Sequence, residues 1–263
     1  MSVGTGLRLG VFVFALLSCA LAERALPRRT AIAPAAPRWR VNLILMLLGA
    51  LAVRLLLPFA AMEAASRAED AHLGLLNFIN LSIPLKAALT VVLLDLLIYW
   101  QHRAFHVIPA LWRLHAVHHT DLDLDASSAV RFHPVEILIS MLIKMAAVVL
   151  LGASVPGVAL FEIILSAAAL FHHSNIALPL PLDAALRLLS VTPDMHRIHH
   201  SPNRLETDSN FSFNLTCWDR LFGTYRDQPI EPHATMALGL AETREPKALS
   251  LGFLLAYPWR KPS

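Results

Sequence analysis

Two stretches, Val41 to Met62 and Ile83 to Trp100, are apolar over roughly the length a helix needs to cross a bilayer, and they limit the fold more tightly than anything else in the chain. Arg54 and Pro58 interrupt the first, and Asp95 is the one acid inside the second. An acid there is costly in lipid, so Asp95 should face protein or a polar cavity. Across 263 residues the chain is 56% hydrophobic and only 16% charged, the balance of a membrane protein rather than a soluble enzyme. The net charge of +3 is scattered, with no basic stripe interleaved with aromatics, which argues against a nucleic-acid partner. Cys19 and Cys217 form no C-x-x-C, so neither a thiolate zinc site nor a disulfide framework is indicated.

Charge bias orients the spans. Gly10 to Ala22 follows Arg8 and ends in Ser18-Cys-Ala-Leu-Ala22, the pattern of a signal peptide with its cleavage site. Cleavage would leave Arg24, Arg28, Arg29, Arg38 and Arg40 outside the cell, whereas such a cluster marks a cytoplasmic loop, so the segment is read as a retained anchor helix. Glu63 to Asn80 is then an outside loop, and Ile83 to Trp100 returns to the cytoplasmic side. Val135 to Leu151 and Gly157 to Phe171 are two further apolar runs carrying Glu136, Lys144 and Glu162, either two crossing helices or a re-entrant hairpin. Both readings bring His172-His-Ser-Asn175 back to the face the chain left. Beyond Pro179 the chain turns polar, with an amphipathic stretch at Leu182 to Leu189 and a helix start at Thr192-Pro193. A proline-rich tail from Pro229 carries a short apolar patch, Leu249 to Tyr257. The expected fold is all-α: an integral membrane bundle of about four to five helices under a cytosolic helical cap. Three regions follow: 1–82 (membrane helices and arginine-rich loop), 83–226 (the histidine-bearing domain) and 227–263 (the tail).

Eight of the thirteen histidines fall in three short clusters on that same face: His102 and His106; His115, His118 and His119; His196, His199 and His200. Residues three and four apart share one side of a helix, so each cluster aims its imidazoles one way. Eight converging imidazoles exceed what one ion takes and point to a dimetal site. Imidazole suits zinc, copper, iron and nickel alike. Arg103 and Ala116 stand where H-E-x-x-H would need glutamate, which disfavours a zinc peptidase.

These clusters, with Arg131-Phe-His-Pro-Val-Glu136, His173-Ser-Asn175, Thr192 to Ser201 and Trp218-Asp-Arg-Leu-Phe-Gly-Thr-Tyr225, resemble the boxes of the fatty acid hydroxylase/sterol desaturase superfamily over about Leu93 to Tyr225. The resemblance implies a histidine-held di-iron centre, replaceable by zinc in isolated protein, that uses O2 on lipid C–H bonds with electrons from a separate donor. It implies metal ligation by His102, His106, His115, His118, His119, His173, His196, His199 and His200. His133 and His172 are possible ligands or supporting groups, and Asp95, Asp121, Asn175 and Asn210 are candidate partners for the ligands. Asp95 has an alternative reading as a packing acid bonded to a nearby Trp or Tyr. Phe211, Phe213 and Trp218 either line a substrate channel or pack the cap. Many family members carry a histidine where this chain has Ala169. The nearest likeness is to bacterial members, which implies an inner-membrane oxidoreductase that hydroxylates, or desaturates, a lipid. The contrasting expectation is a membrane protein that stores or moves zinc or other ions.

Overall fold

The computed structural model describes residues 3–57, 59–244 and 249–260; Pro58, inside the first expected span, lies outside them. Among the described residues the chain is helical and has no strand, only two isolated bridges, Pro27 with Ile176 and Ser190 with Leu215. The long helices are α1 (Val3–Ala25), α2 (Ala35–Leu56), α4 (Ile83–Val107), α6 (Pro134–Leu151) and α7 (Val155–His173), with the shorter α3 (Ala61–Asp70) after α2. Among the described residues, five stretches are long and apolar enough to cross a membrane: Gly6–Ala25, Ala35–Asp70, Ile83–Val107, Pro134–Leu151 and Val155–His173. The protein is an integral membrane bundle.

The two apolar runs after residue 134 are separate antiparallel helices of 18 and 19 residues, each ~27 Å long at 1.5 Å per residue. Gly152 ends α6 in the left-handed region (φ 63°), and the Ser154 side chain caps α7 by accepting from Gly157 N. Part of the expected outside loop is instead α3. Its alanines 61, 64, 65 and 68 are buried, the first three in one core with Leu94, Val148, Val158 and Phe161. Small residues on one helical face allow that close approach, a pattern that the acids of the segment hide in composition. The segment then closes on the α6–α7 turn so tightly that a Cβ on Gly74 would lie 2.1 Å from Gly152 N.

The arginine-rich loop is tied down at the histidine end. Arg28 Nε donates to both oxygens of Asp194 at 3.0 Å, Arg29 donates to Met236 O at 2.7 Å, and buried Arg38 grips Asp121 (2.6 Å) and Asp125 (2.8 Å). Glu23 at the end of α1 accepts from Ala126 N and Asn175 N, both at 3.1 Å, and Cys19 is buried beside Ala129 and Leu170. The α1 helix is thus built into the bundle.

Short helices form the cap: α5 (Pro109–His119), α8 (Leu180–Leu186), α9 (Pro193–His199), α10 (Arg204–Thr207) and α11 (Cys217–Leu221). Thr192 caps α9 through Met195 N with Pro193 in its first turn, as its sequence predicts. In the tail, α12 (Leu251–Ala256) buries Phe253 and Leu254 against Val41, Leu45 and Val117.

Candidate metal centre

Four helices end at one place. His106 sits in the last turn of α4, His118 and His119 in that of α5, His173 in that of α7, and His199 in that of α9. A helix C-terminus carries partial negative charge, so four of them converging favour a cation between them.

The side chains fall into two groups. In the first, one nitrogen from each of His102, His106, His115, His119 and His199 lies within 4.8 Å of the others. In the second, His118, His173, His196 and His200 meet the same limit. All nine are buried.

In the first group four of the five outer nitrogens are committed. Nδ1 of His102 donates to Phe211 O (2.9 Å), of His115 to Glu136 Oε1 (2.7 Å) and of His199 to Ser209 O (2.8 Å), while His106 Nδ1 lies 3.4 Å from Asp208 Oδ1. Each such bond fixes the tautomer and leaves a lone pair on Nε2. The Nε2 atoms of His106, His115 and His199, and both nitrogens of His119, are buried with no protein partner. Orphaned buried nitrogens in such number demand an occupant.

The second group makes the same demand more sharply. His118 Nδ1 faces Arg131 O at 3.3 Å and His173 Nδ1 faces Ala169 O at 2.8 Å, so both Nε2 atoms are acceptors, yet they stand 3.0 Å apart. His173 to His196 (3.0 Å) and His196 to His200 (3.1 Å) repeat the contact, Nε2 against Nε2. Facing lone pairs repel unless a cation lies between them. Two imidazoles at right angles about an ion, with bonds of ~2.1 Å, put their nitrogens ~3 Å apart, which is this spacing. The residues fit a metal ion in each group.

Burial holds His115 down to about 3, and holds His118, His119, His196, His199 and His200 well below the ordinary imidazole range, with neighbouring imidazoles adding to the effect in these five. The rings are therefore neutral, the form that binds metal.

The other residues singled out in the sequence do different things. Asp95 touches no histidine: it accepts from Trp218 Nε1 (2.9 Å), Asn214 Nδ2 (2.7 Å) and Leu215 N (3.0 Å), locking α4 to the cap. Asp121 takes Arg38 and Ser128, Asn175 bridges Glu23 and Arg29, and His133 Nε2 bonds Leu255 O at 3.3 Å. Asn210 also misses the histidines but arranges two of their partners. At φ 54°, held by Thr224 O, Met195 O and Arg226, it turns the Ser209 and Phe211 carbonyls towards His199 and His102. The His172 ring is buried 4.2 Å from that of His196, with both nitrogens unbonded, outside the two groups. Phe213 lines the cavity described next, Phe211 packs on the His102 and His199 rings, and Trp218 bonds Asp95. Glu136 and Asp208, which do bond histidines, were not marked as partners by sequence reasoning. The signal for Glu136 was a carboxylate one turn into an apolar run, three residues after His133.

A cavity of about 210 Å³ opens beneath the histidines, bounded by His102, His115, His118 and His196 at one end and running between α4, α6 and α7 past Ile98, Met141 and Leu165.

An ornithine lipid hydroxylase of Rhizobium tropici is 32% identical over 145 residues, 55% of this chain and 43% of its own length. Alkylglycerol monooxygenases of Homo sapiens and Danio rerio are each 31% identical, over 48% and 57% of this chain and 27% and 33% of their own lengths. The chain thus spans less than half the length of these relatives. No solved structure matches it significantly. The profile of the fatty acid hydroxylase family matches residues 87–224, from the second turn of α4 through every histidine of both groups, and the chain belongs to that family.

Proposed function

We propose that the protein is a membrane-bound non-haem di-iron oxygenase that hydroxylates a lipid C–H bond, with His102, His106, His115, His119 and His199 holding one iron and His118, His173, His196 and His200 the other. The observation that carries this is the pair of neutral imidazole groups, lone pairs facing inward, at one end of a cavity that runs between membrane helices. Two irons there would activate O2 so that one oxygen atom enters the C–H bond and the other leaves as water, with electrons from a separate donor protein. Zinc would take the same nitrogens in isolated protein.

The chain's own residues do the remaining work. Glu136, Asp208 and the carbonyls of Ser209 and Phe211 hold the rings in their metal-binding tautomers. Arg131 donates to Val117 O (3.1 Å), Thr120 Oγ1 (2.7 Å) and Asn42 Oδ1 (2.9 Å), which fixes the end of α5 that carries His118 and His119. The apolar part of the cavity wall, Ile98, Phe105, Met141 and Leu165 among it, admits a lipid and excludes water, which suppresses side reactions. The relatives' names favour hydroxylation over desaturation, and an amphiphilic lipid of the kind they state, an ornithine lipid or an alkylglycerol, as the substrate class.

The arginines that bind the cap also orient it. Arg28, Arg29 and Arg38 lie at the histidine end, which by the positive-inside rule supports a metal centre at the cytoplasmic border, and the Rhizobium relative supports a bacterial inner membrane. A soluble electron donor reaches it from there.

The test is turnover under isotopically heavy O2 of a bacterial lipid extract by membranes carrying the protein with a reducing system. The expected product is a lipid with one heavy hydroxyl, absent with His199→Ala. Lipid oxidation that survives in His199→Ala, or its complete absence in iron-loaded wild-type membranes, contradicts the reading.

A further inference from the structure

The cavity is polar along one wall. Glu136, Ser140 and Lys144 follow one another at four-residue spacing on α6, and all three line it. Residues at that spacing share one helical face. On the opposite wall, Gln101 of α4 donates to Ser140 Oγ at 3.1 Å, and its own Oε1 is buried without a partner. Lys144 stands at the deep end, eight residues or ~12 Å along the helix from Glu136 and near the middle of a membrane span.

The charge around Lys144 does not balance. Its ammonium donates to Glu162 Oε1 at 2.8 Å, and Arg8 of α1 is paired with that same carboxylate. Two cations share one anion. Arg8 has a further contact, to Met62 Sδ at 3.2 Å, whereas among the described residues no second protein acceptor reaches Lys144. The Lys144 and Glu162 side chains are 12% and 15% exposed. An intramembrane cluster left with one positive charge is costly unless something offsets it. Lys144 lines the cavity that ends at the histidines, so a ligand held there can meet its remaining N–H groups.

We propose that Lys144 is a specificity-determining residue that binds a carboxylate of the lipid substrate at the deep end of the cavity, with the chain running ~12 Å back to the metal centre. The pairing supplies the missing negative charge, and Ser140 and Gln101 meet a second polar group midway. A plain hydrocarbon chain would leave Gln101 Oε1 and the remaining Lys144 N–H groups unmatched, and a buried donor or acceptor without a partner weakens binding of the wrong ligand. The inference rests on the oxygenase reading only in taking this cavity as the substrate's. Binding is measured without turnover, so either idea can fail alone.

The experiment is equilibrium binding of radiolabelled hexadecanoate and hexadecanol to the full chain in nanodiscs. Wild type is expected to prefer the acid by about tenfold, ~1.4 kcal/mol. Lys144→Met should abolish that preference, and Lys144→Arg should keep it. The methionine variant leaves Arg8 and Glu162 as a balanced pair, so it is expected to insert and fold; its elution as a monodisperse species with wild-type iron content checks this. N-hexadecanoylglycine separates the two sources of carboxylate: tighter binding than hexadecanoate assigns the anion to an amide-linked head group, and weaker binding to a free acid. Equal binding of acid and alcohol by wild type, or an unchanged preference in a folded Lys144→Met, overturns the proposal.

Discussion

Glu136 shows how much of this centre depends on single atoms outside the ligand set. Its Oε1 takes the Nδ1 proton of His115 at 2.7 Å and so leaves the lone pair on the inner nitrogen. Glu136→Leu should weaken ferrous binding by ~10–100-fold while Glu136→Gln, whose amide oxygen still accepts, restores most of it; anaerobic iron titration decides, and equal affinity in the leucine variant contradicts the assignment. His233 gives a pH signature outside the membrane. Burial pushes it down to about 4, against the pull of Asp194 at 3.6 Å. The unfolded chain therefore binds the extra proton first, so this contribution to stability is complete above pH ~6.5 and is lost as pH falls from there towards 4. His233→Asn should flatten that part of the Tm-against-pH curve, and an unchanged acid slope would show that His233 does not set it. Eight of the nine histidines were legible in the sequence because three- and four-residue spacing survives in any helix; His173 was legible only through the family resemblance. Their hydrogen-bond partners were not, since Phe211 and Asp208 come from more than a hundred residues away and, for Phe211, act through a backbone carbonyl that no side chain announces.

Among elements, α4 and α7 are set against each other by a missing side chain. A Cβ on Gly157 would fall 2.6 Å from Thr90 Cβ, while Thr90 Oγ1 accepts from Ser154 N at 3.1 Å to hold the start of α7. Gly157→Ala should separate the helices and destabilise the protein by ~1–3 kcal/mol, read as a lower Tm; an unchanged Tm would show that the contact relaxes freely. The join between α4 and the cap is Asp95. Asp95→Ala would strand the half-buried Trp218 and buried Asn214 donors, at a cost of up to ~1–3 kcal/mol for each unmet group, and wild-type thermal stability in that variant would contradict the locking role. The apolar runs reported the spans but left open whether His102 and His106 lie on the last turns of that helix or just past it, because those turns are apolar only in patches; α4 continues to Val107 and carries both. Helix α3 escaped notice for a related reason: its alanine stripe carries little hydropathy, and its acids resemble a solvated loop.

At the scale of the whole molecule, the bundle and cap form one unit stitched by buried ion pairs. Arg38 joins α2 to the aspartates after α5, Arg28 joins the first loop to α9, and α12 returns the tail to α2. Charge bias along the sequence placed all histidine clusters at one membrane face, and the structure brings them together there. What it could not convey was the division into five and four, which depends on how four helix ends pack in space. The most direct test counts iron per chain after anaerobic ferrous loading of the wild type, His199→Ala and His118→Ala. The prediction is two irons in the wild type, with each variant losing the ion of its own group while still inserting into the membrane. A wild type that takes up no iron, or variants that keep both ions, would contradict the two-group centre.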